Sequence, residues 1–535
     1  MRAAITDLTP HARLLQLRQA IAPALLTAGS LLIFAALRNV LINVASGDGF
    51  NCLILDVLAC DAAALLCGIR YDEISPMLRV MGRGIGAVVL VTIVFDATTL
   101  LYAPAPYLAG DEGWFFRFGT LLGIAAGIAS IWRPSFLLPL MFHYVAFRHQ
   151  YNIAGGIDIS ETDYLSMMDV GEYCVVGALV VALASRAAPL SEERERRRHA
   201  ACALIWACAV GAHLGNYFIS AWTKIRVGGD DPFLWLLHNP TQTSILIGLE
   251  RGDNPLATWP WLVQLVWDGV VGAGVGLNLF VIGLQFFAPI AIAHRRLLMA
   301  FVLLFDLFHI GVYFTLGAMF AYWIAVNAII LASATRMTDR QITPLMQITT
   351  MAAALFGHFL FYTSHLGWLD GAKLASPSFV AETKDGRYVP IPSVYFGMRS
   401  YSIAQTLMYV PDGHFPMRIG GNSYNWADWE DAQTCGPDVR NHQKSAATLP
   451  AIEAMVVQTD AAMREHPEVK TDNLYYFYPH HMVANPFLFR EFNALSMNDI
   501  ARYHYVVESV CLGLKNGVLT RDVRHRSDQV IDVER

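Results

Sequence analysis

Charge is scarce in this chain. Only 15% of its 535 residues are Asp, Glu, Lys or Arg, and 55% are hydrophobic; soluble domains carry roughly 25% charge. That scarcity excludes one large soluble core and points to a polytopic membrane protein whose first partner is a lipid bilayer. No basic domain and no zinc-finger spacing is present, so a nucleic-acid partner is not expected. The eight cysteines form no CxxC pair. Six of them (Cys52, Cys60, Cys67, Cys174, Cys202 and Cys208) lie in apolar runs and read as small core residues. Cys435 and Cys511 lie in a polar C-terminal region, where a disulfide is open to them if that region is extracytoplasmic. The first apolar run has no small-residue cleavage site after a short core, so residues 20–44 are read as a retained span. No internal repeat is visible.

What is present is a series of apolar runs. Candidate spans cover residues 20–44, 52–67, 84–101, 115–132, 134–146, 170–185, 202–221, 262–290, 298–314, 317–333 and 344–366. Several fall short of the roughly 20 residues a span needs, so the count is about eleven. Arginines precede the first span (Arg2, Arg13, Arg18). They recur after the second (Arg70, Arg79, Arg83), the sixth (Arg186, Arg194, Arg196, Arg197, Arg198), the eighth (Arg295, Arg296) and the tenth (Arg336, Arg340). With alternating spans these loops share one side, which the positive-inside rule makes cytoplasmic. The expectation is an all-α helix bundle over residues 1–366, N-terminus inside. An extracytoplasmic α+β domain follows over 367–535. In that domain 449–464 and 498–514 have helical spacing, the second ending at Lys515-Asn516-Gly517, and 388–392 and 474–478 read as strands.

The most informative residue is Lys224. In the seventh span, His213, Tyr217, Ser220 and Lys224 fall on one face at about 100° per residue. A lysine on a spanning helix marks a functional candidate, and a desolvated lysine sheds its proton readily. Asp306, His309 and Tyr313 share a face of the ninth span; His358, Tyr362 and His365 share one of the eleventh. Three distant helices thus offer imidazoles, phenols and a cation at matching depths, which predicts one interior pocket. Other ionisable groups in apolar runs are Arg38, Asp56, Asp61, Asp96, Asp169, Glu172 and Asp268. Arg38 is expected to pair with one of these acids as structural glue. In the C-terminal region, Tyr475 to His481 and Trp426 to Trp429 read as an aromatic core or a binding groove.

The run Asn216-Tyr217-Phe218…Lys224, with Asp231-Pro232 and Trp235 after it, resembles the HTTM family, bacterial relatives of vitamin K-dependent γ-glutamyl carboxylase. Phe308-His309-Ile-Gly…Tyr313 with Gly317…Trp323, and Arg148-His149 before Gly155-Gly156-Ile-Asp158, are similar to its further motifs. The resemblance covers roughly residues 20–335. It implies a bacterial inner-membrane enzyme, lyase or oxidoreductase, with Lys224 as general base toward a reduced quinone. Oxygen and carbon dioxide are co-substrates in that chemistry, and His149 is the nearest match to an outer-loop histidine. On this reading Lys224, His213, Tyr217, His309 and His149 are catalytic, and Asp306, Tyr313, His358, Tyr362 and His365 bind the cofactor. The 165 or so C-terminal residues match no motif of that family, and γ-carboxylation itself does not follow. Two other readings stay open. One is an iron or copper (haem) oxidoreductase using His213, His309, His358 and His365. The other is a transporter or peptide-maturation accessory protein with the stripes along its pathway.

Overall fold

The computed structural model describes residues 10–45, 49–102, 110–154, 162–187, 191–392, 449–465 and 484–533, with short pieces between 395 and 441. Thirteen helices precede the first strand among these residues: α1 Pro10–Ala45, α2 Gly49–Leu65, α3 Pro76–Tyr102, α4 Gly110–Ser130, α5 Leu137–Ala154, α6 Thr162–Arg186, α7 Glu192–Arg226, α8 Leu234–His238, α9 Thr243–Arg251, α10 Pro260–Phe286, α11 Arg295–Leu316, α12 Ala321–Ala334 and α13 Pro344–Phe356. Six stretches (in α1, α3, α6, α7, α10 and α11) are long and apolar enough to cross a membrane, and the chain is a multi-pass membrane protein. Of the five remaining predicted spans, α2 has 17 residues, α12 has 14 and α13 has 13, while α4 and α5 carry only the shorter apolar stretches Trp114–Ser130 and Pro134–Ala146.

α7 is the axis of the bundle. Its apolar window is 89% buried, against 11% for α10. It packs on α13, α6, α1 and α10, which is why a polar stripe on it meets protein and not lipid. Arg38 of α1 pairs with Asp169 of α6 at 2.9 Å, the pairing anticipated for it. Asp169 also accepts from the Tyr362 backbone N–H at 2.5 Å, so one buried carboxylate ties α1, α6 and the chain beyond α13.

The eleventh span departs from expectation. α13 ends at Phe356, a 3-10 turn covers Gly357–Phe359, and the chain then runs without regular structure to Leu369. His358, Tyr362 and His365 therefore do not share a helix face. The cause is packing: Gly357 lies against Ala212 of α7, and Ser364 N–H is captured by the Asn216 side chain at 2.9 Å.

Eight strands follow among the described residues: β1 Leu369–Asp370, β2 Lys373–Thr383, β3 Tyr388–Ile391, β4 Gly413–His414, β5 Asn422–Ser423, β6 Arg440–Asn441, β7 Ile500–Lys515 and β8 Val518–Asp532; four of them form an antiparallel sheet in the order β3-β2-β7-β8. The predicted strand at 388–392 and helix at 449–464 are present, the latter as α14 Leu449–Glu465. The predicted helix at 498–514 is instead β7. Its Tyr503, Tyr505 and Val507 alternate into a core with Phe379 and Ile452, and Val and Tyr favour a pleated, half-buried surface. Asn516-Gly517 is the hairpin turn: φ is 53° at Asn516 and 74° at Gly517, the pair of positive angles a two-residue turn of this type requires. A disulfide joins Cys435 to Cys511 of β7. The predicted strand at 474–478 and the aromatic clusters around Trp426 and His480 lie outside the described residues.

Sheet and bundle interlock. Arg521 of β8 and Ser376 of β2 both bond Glu250 of α9. Asn485 donates to the carbonyl of Asn254 and its own N–H to that of Gly252. Beside this joint Asp253 is 1% exposed, and neither carboxylate oxygen has a hydrogen-bond partner among the described residues. Burial pushes its carboxyl up to about 7, against the pull of Arg251.

Two outcomes follow. Gly517→Ala should weaken the joint by more than about 1 kcal/mol, because its added carbon would sit 1.7 Å from the Pro260 carbonyl oxygen at φ 74°; thermal melting of the purified protein reads this. For Asp253, the folded state keeps a proton that the unfolded chain has lost, so stability falls as pH rises from about 4 to about 7. Asp253→Asn should flatten the melting temperature across that window, and a slope as steep as wild type would count against the assignment.

Candidate functional site

The α7 stripe is buried throughout: His213 is 1%, Tyr217 2%, Ser220 2% and Lys224 7% exposed. Tyr217, Ser220 and Lys224 line one cavity together with His309 and Phe308 of α11, Trp323 of α12 and Gln285 of α10. Its volume is about 120 Å³. That is near the size of an engineered cavity of about 150 Å³ that admits benzene, so one ring with its substituents fits.

Asn327 of α12 organises the polar side. Its Oδ1 lies 2.9 Å from His213 Nε2, and its Nδ2 donates to Tyr217 Oη and Asp306 Oδ1, each at 2.9 Å. This saturates both amide hydrogens and fixes the network's polarity. His213 must donate from Nε2. Tyr217, already an acceptor, turns its own proton toward His309 Nε2 at 3.1 Å. His309 is then the Nδ1–H tautomer. Its Nδ1 and the indole Nε1 of Trp323 are buried donors, and Gln285 Oε1 is a buried acceptor, each without a partner among the described residues. The rings interlock around them. Tyr217 stacks on Phe305 at 3.6 Å, and Trp323 sits 5.2 Å from Tyr217 and 5.7 Å from His309.

At the other end, Lys224 Nζ donates to the Leu366 carbonyl at 2.5 Å and to that of Ser220 at 3.4 Å. Trp235 lies 5.5 Å away and donates its indole N–H to the Trp368 carbonyl at 2.7 Å. The segment from Leu366 to Asp370 thus crosses the mouth of the cavity. It can do so because Gly367 has no side chain: a Cβ there would meet Thr223 atoms at 2.4–2.5 Å. Asp370 lines the cavity too, its carboxylate held by Asn239 at 3.0 Å and Trp368 at 3.2 Å.

The structure thus gathers Lys224, Tyr217 and His309 around one space, with His213 and Asp306 one bond behind. The others lie elsewhere. Tyr313 is half-buried, its ring on Phe314, and it does not line the cavity. His365 is exposed and His358 half-buried. Tyr362 contributes a backbone N–H to Asp169. His149 lies on α5, and its side chain is outside the described residues. Asn327, Gln285 and the Leu366–Asp370 strap were not anticipated. The signal for Asn327 was available as a lone amide in the apolar run of α12; a search restricted to ionisable groups passes over it.

Fold and site together define a multi-pass membrane helix bundle with a buried polar cavity under a C-terminal sheet domain. Compared with family models, curated proteins and solved structures, the chain matches none.

Asn327→Leu removes one partner each from His213, Tyr217 and Asp306. Interhelical hydrogen bonds average about 0.6 kcal/mol and reach about 1.7, so the loss of three should total about 2–5 kcal/mol. Thermal unfolding in detergent measures it; a change under 0.5 kcal/mol would mean that the network carries no stability.

Proposed function

We propose that this protein is an integral membrane enzyme in which Lys224 acts as general base on an acidic, lipid-soluble substrate. One observation carries the reading: a lysine amine 7% exposed, bonded to carbonyls, lining the same cavity as Tyr217 and His309. As an ammonium, Nζ spends two N–H groups on Leu366 and Ser220 and offers the third to the cavity. As a neutral amine it keeps both bonds and offers a lone pair instead. The same cage serves either state, so a proton can be exchanged with a ligand without rearrangement.

The anion so formed needs donors. His309 Nδ1–H and Trp323 Nε1–H belong to cavity-lining residues and have no protein partner among the described residues; they are suited to an oxyanion in a water-poor site. Tyr217 and Asn327 hold His309 in the tautomer that supplies its proton there. Gln285 Oε1 can accept a second substrate hydroxyl.

A reduced quinone, the group implied by the resemblance to vitamin K-dependent carboxylase, would bring an acidic phenolic O–H and the electrons for oxygen. The donor set fits such an oxygen, and the cavity takes one ring of it; Lys224, His309, Trp323 and Gln285 would hold it. Fixation of carbon dioxide is a separate step in this reading. The metal reading has less support. His213 and His309 each spend Nε2 on a neighbour, His365 is exposed, and among the described residues no three His, Cys, Asp or Glu converge.

The test is oxidation of a reduced naphthoquinone by the purified protein in nanodiscs, followed as oxygen uptake with and without labelled bicarbonate. Lys224→Ala and Lys224→Arg should both lose at least 100-fold in rate with melting temperatures near wild type. An arginine variant that keeps wild-type turnover would show that only the charge matters and remove the general base.

A further inference from the structure

We propose that a second cavity, at the start of α7, binds an anionic phospholipid by its headgroup. This cavity is about 550 Å³ and lies where α1 and the end of α6 meet the first turns of α7. One wall is apolar, built from Leu25 and Leu26 of α1. Leu25 is 66% exposed, so that wall opens onto the surroundings of a membrane helix. The opposite wall carries Arg194, Arg197 and Arg198.

The charge there is arranged for an anion. Ser191 caps α7 by accepting from the Arg194 N–H. The 35-residue helix therefore points its positive end at the arginines. Glu193 pairs with Arg197 and Glu195 with Arg198. Of the charged residues that line the cavity, three are arginines and one, Glu193, is acidic. The pairs do not exhaust the guanidiniums: among the described residues each engages a glutamate through Nη2 alone. Each guanidinium has five N–H groups in a fixed fork that suits phosphate oxygens.

The two walls together select the occupant. A free phosphate would use the arginines and leave the apolar wall idle. A phospholipid uses both, with acyl carbons along Leu25 and Leu26 and the phosphate at the guanidiniums. Basic pockets between membrane helices bind acidic headgroups for this reason.

The experiment is native mass spectrometry of the detergent-solubilised full chain with added phosphatidylglycerol or phosphatidylcholine. Wild type should retain phosphatidylglycerol at least tenfold better. R194Q/R198Q should bring retention to the phosphatidylcholine level. L25N should lower it several-fold without touching a charge. R196Q, at an exposed arginine outside the cavity lining, should leave it unchanged. Equal retention of the two lipids, or equal losses in R196Q and R194Q/R198Q, overturns the proposal. Complete displacement of phosphatidylglycerol by millimolar inorganic phosphate also overturns it, reducing the cavity to an anion site. Where the double variant does not fold, R194Q and L25N decide the matter.

Discussion

A polar side chain inside hydrocarbon must find its partners within the protein, and in this molecule one uncharged amide meets most of that demand. Asn327 engages an imidazole, a phenol and a carboxylate from two other helices, with all of its hydrogens spent. The arrangement ties one face of α7 and one of α11 to the same side chain of α12. It also sets the direction of each proton in the network, down to the tautomer of His309. The apolar packing of Phe305, Tyr217 and Trp323 supplies area; the amide supplies register.

Much of this was legible in the sequence. Three-and-four spacing placed His213, Tyr217, Ser220 and Lys224 on one face, and scarcity of charge made that face an interior one. The same logic brought in His309 and Asp306 but not Tyr313, which shares their spacing and lies outside the cavity. What failed was continuity. The pattern from His358 to His365 has helical spacing, but Ser364 and Tyr362 give their backbone N–H groups to Asn216 and Asp169 instead of to a helix. Spacing cannot reveal that a side chain from another element will capture a backbone donor. In the sheet the error was different. Asn516-Gly517 is a strong hairpin signal, and treating it as a helix stop hid the alternation of Tyr503, Tyr505 and Val507 on its N-terminal side.

The two ends of α7 do unlike work. Its first turns gather arginines beside an apolar wall; its last turn buries a single amine among carbonyls and indoles. The body between them is the best-packed element of the bundle, so the two ends are held at a fixed separation by a rigid rod. Position along that rod distinguishes the arginines beside the apolar wall from the amine buried among carbonyls.

The carbonyl that holds the amine has a further consequence. Leu366 belongs neither to the bundle proper nor to the sheet; it lies on the stretch of chain that leaves α13 and enters β2. Removing everything after the helices would take away the roof of the chamber along with the appendage, and water would reach the nitrogen. The C-terminal part of this chain is therefore not a detachable accessory, because the strap that leads into it lies over the amine.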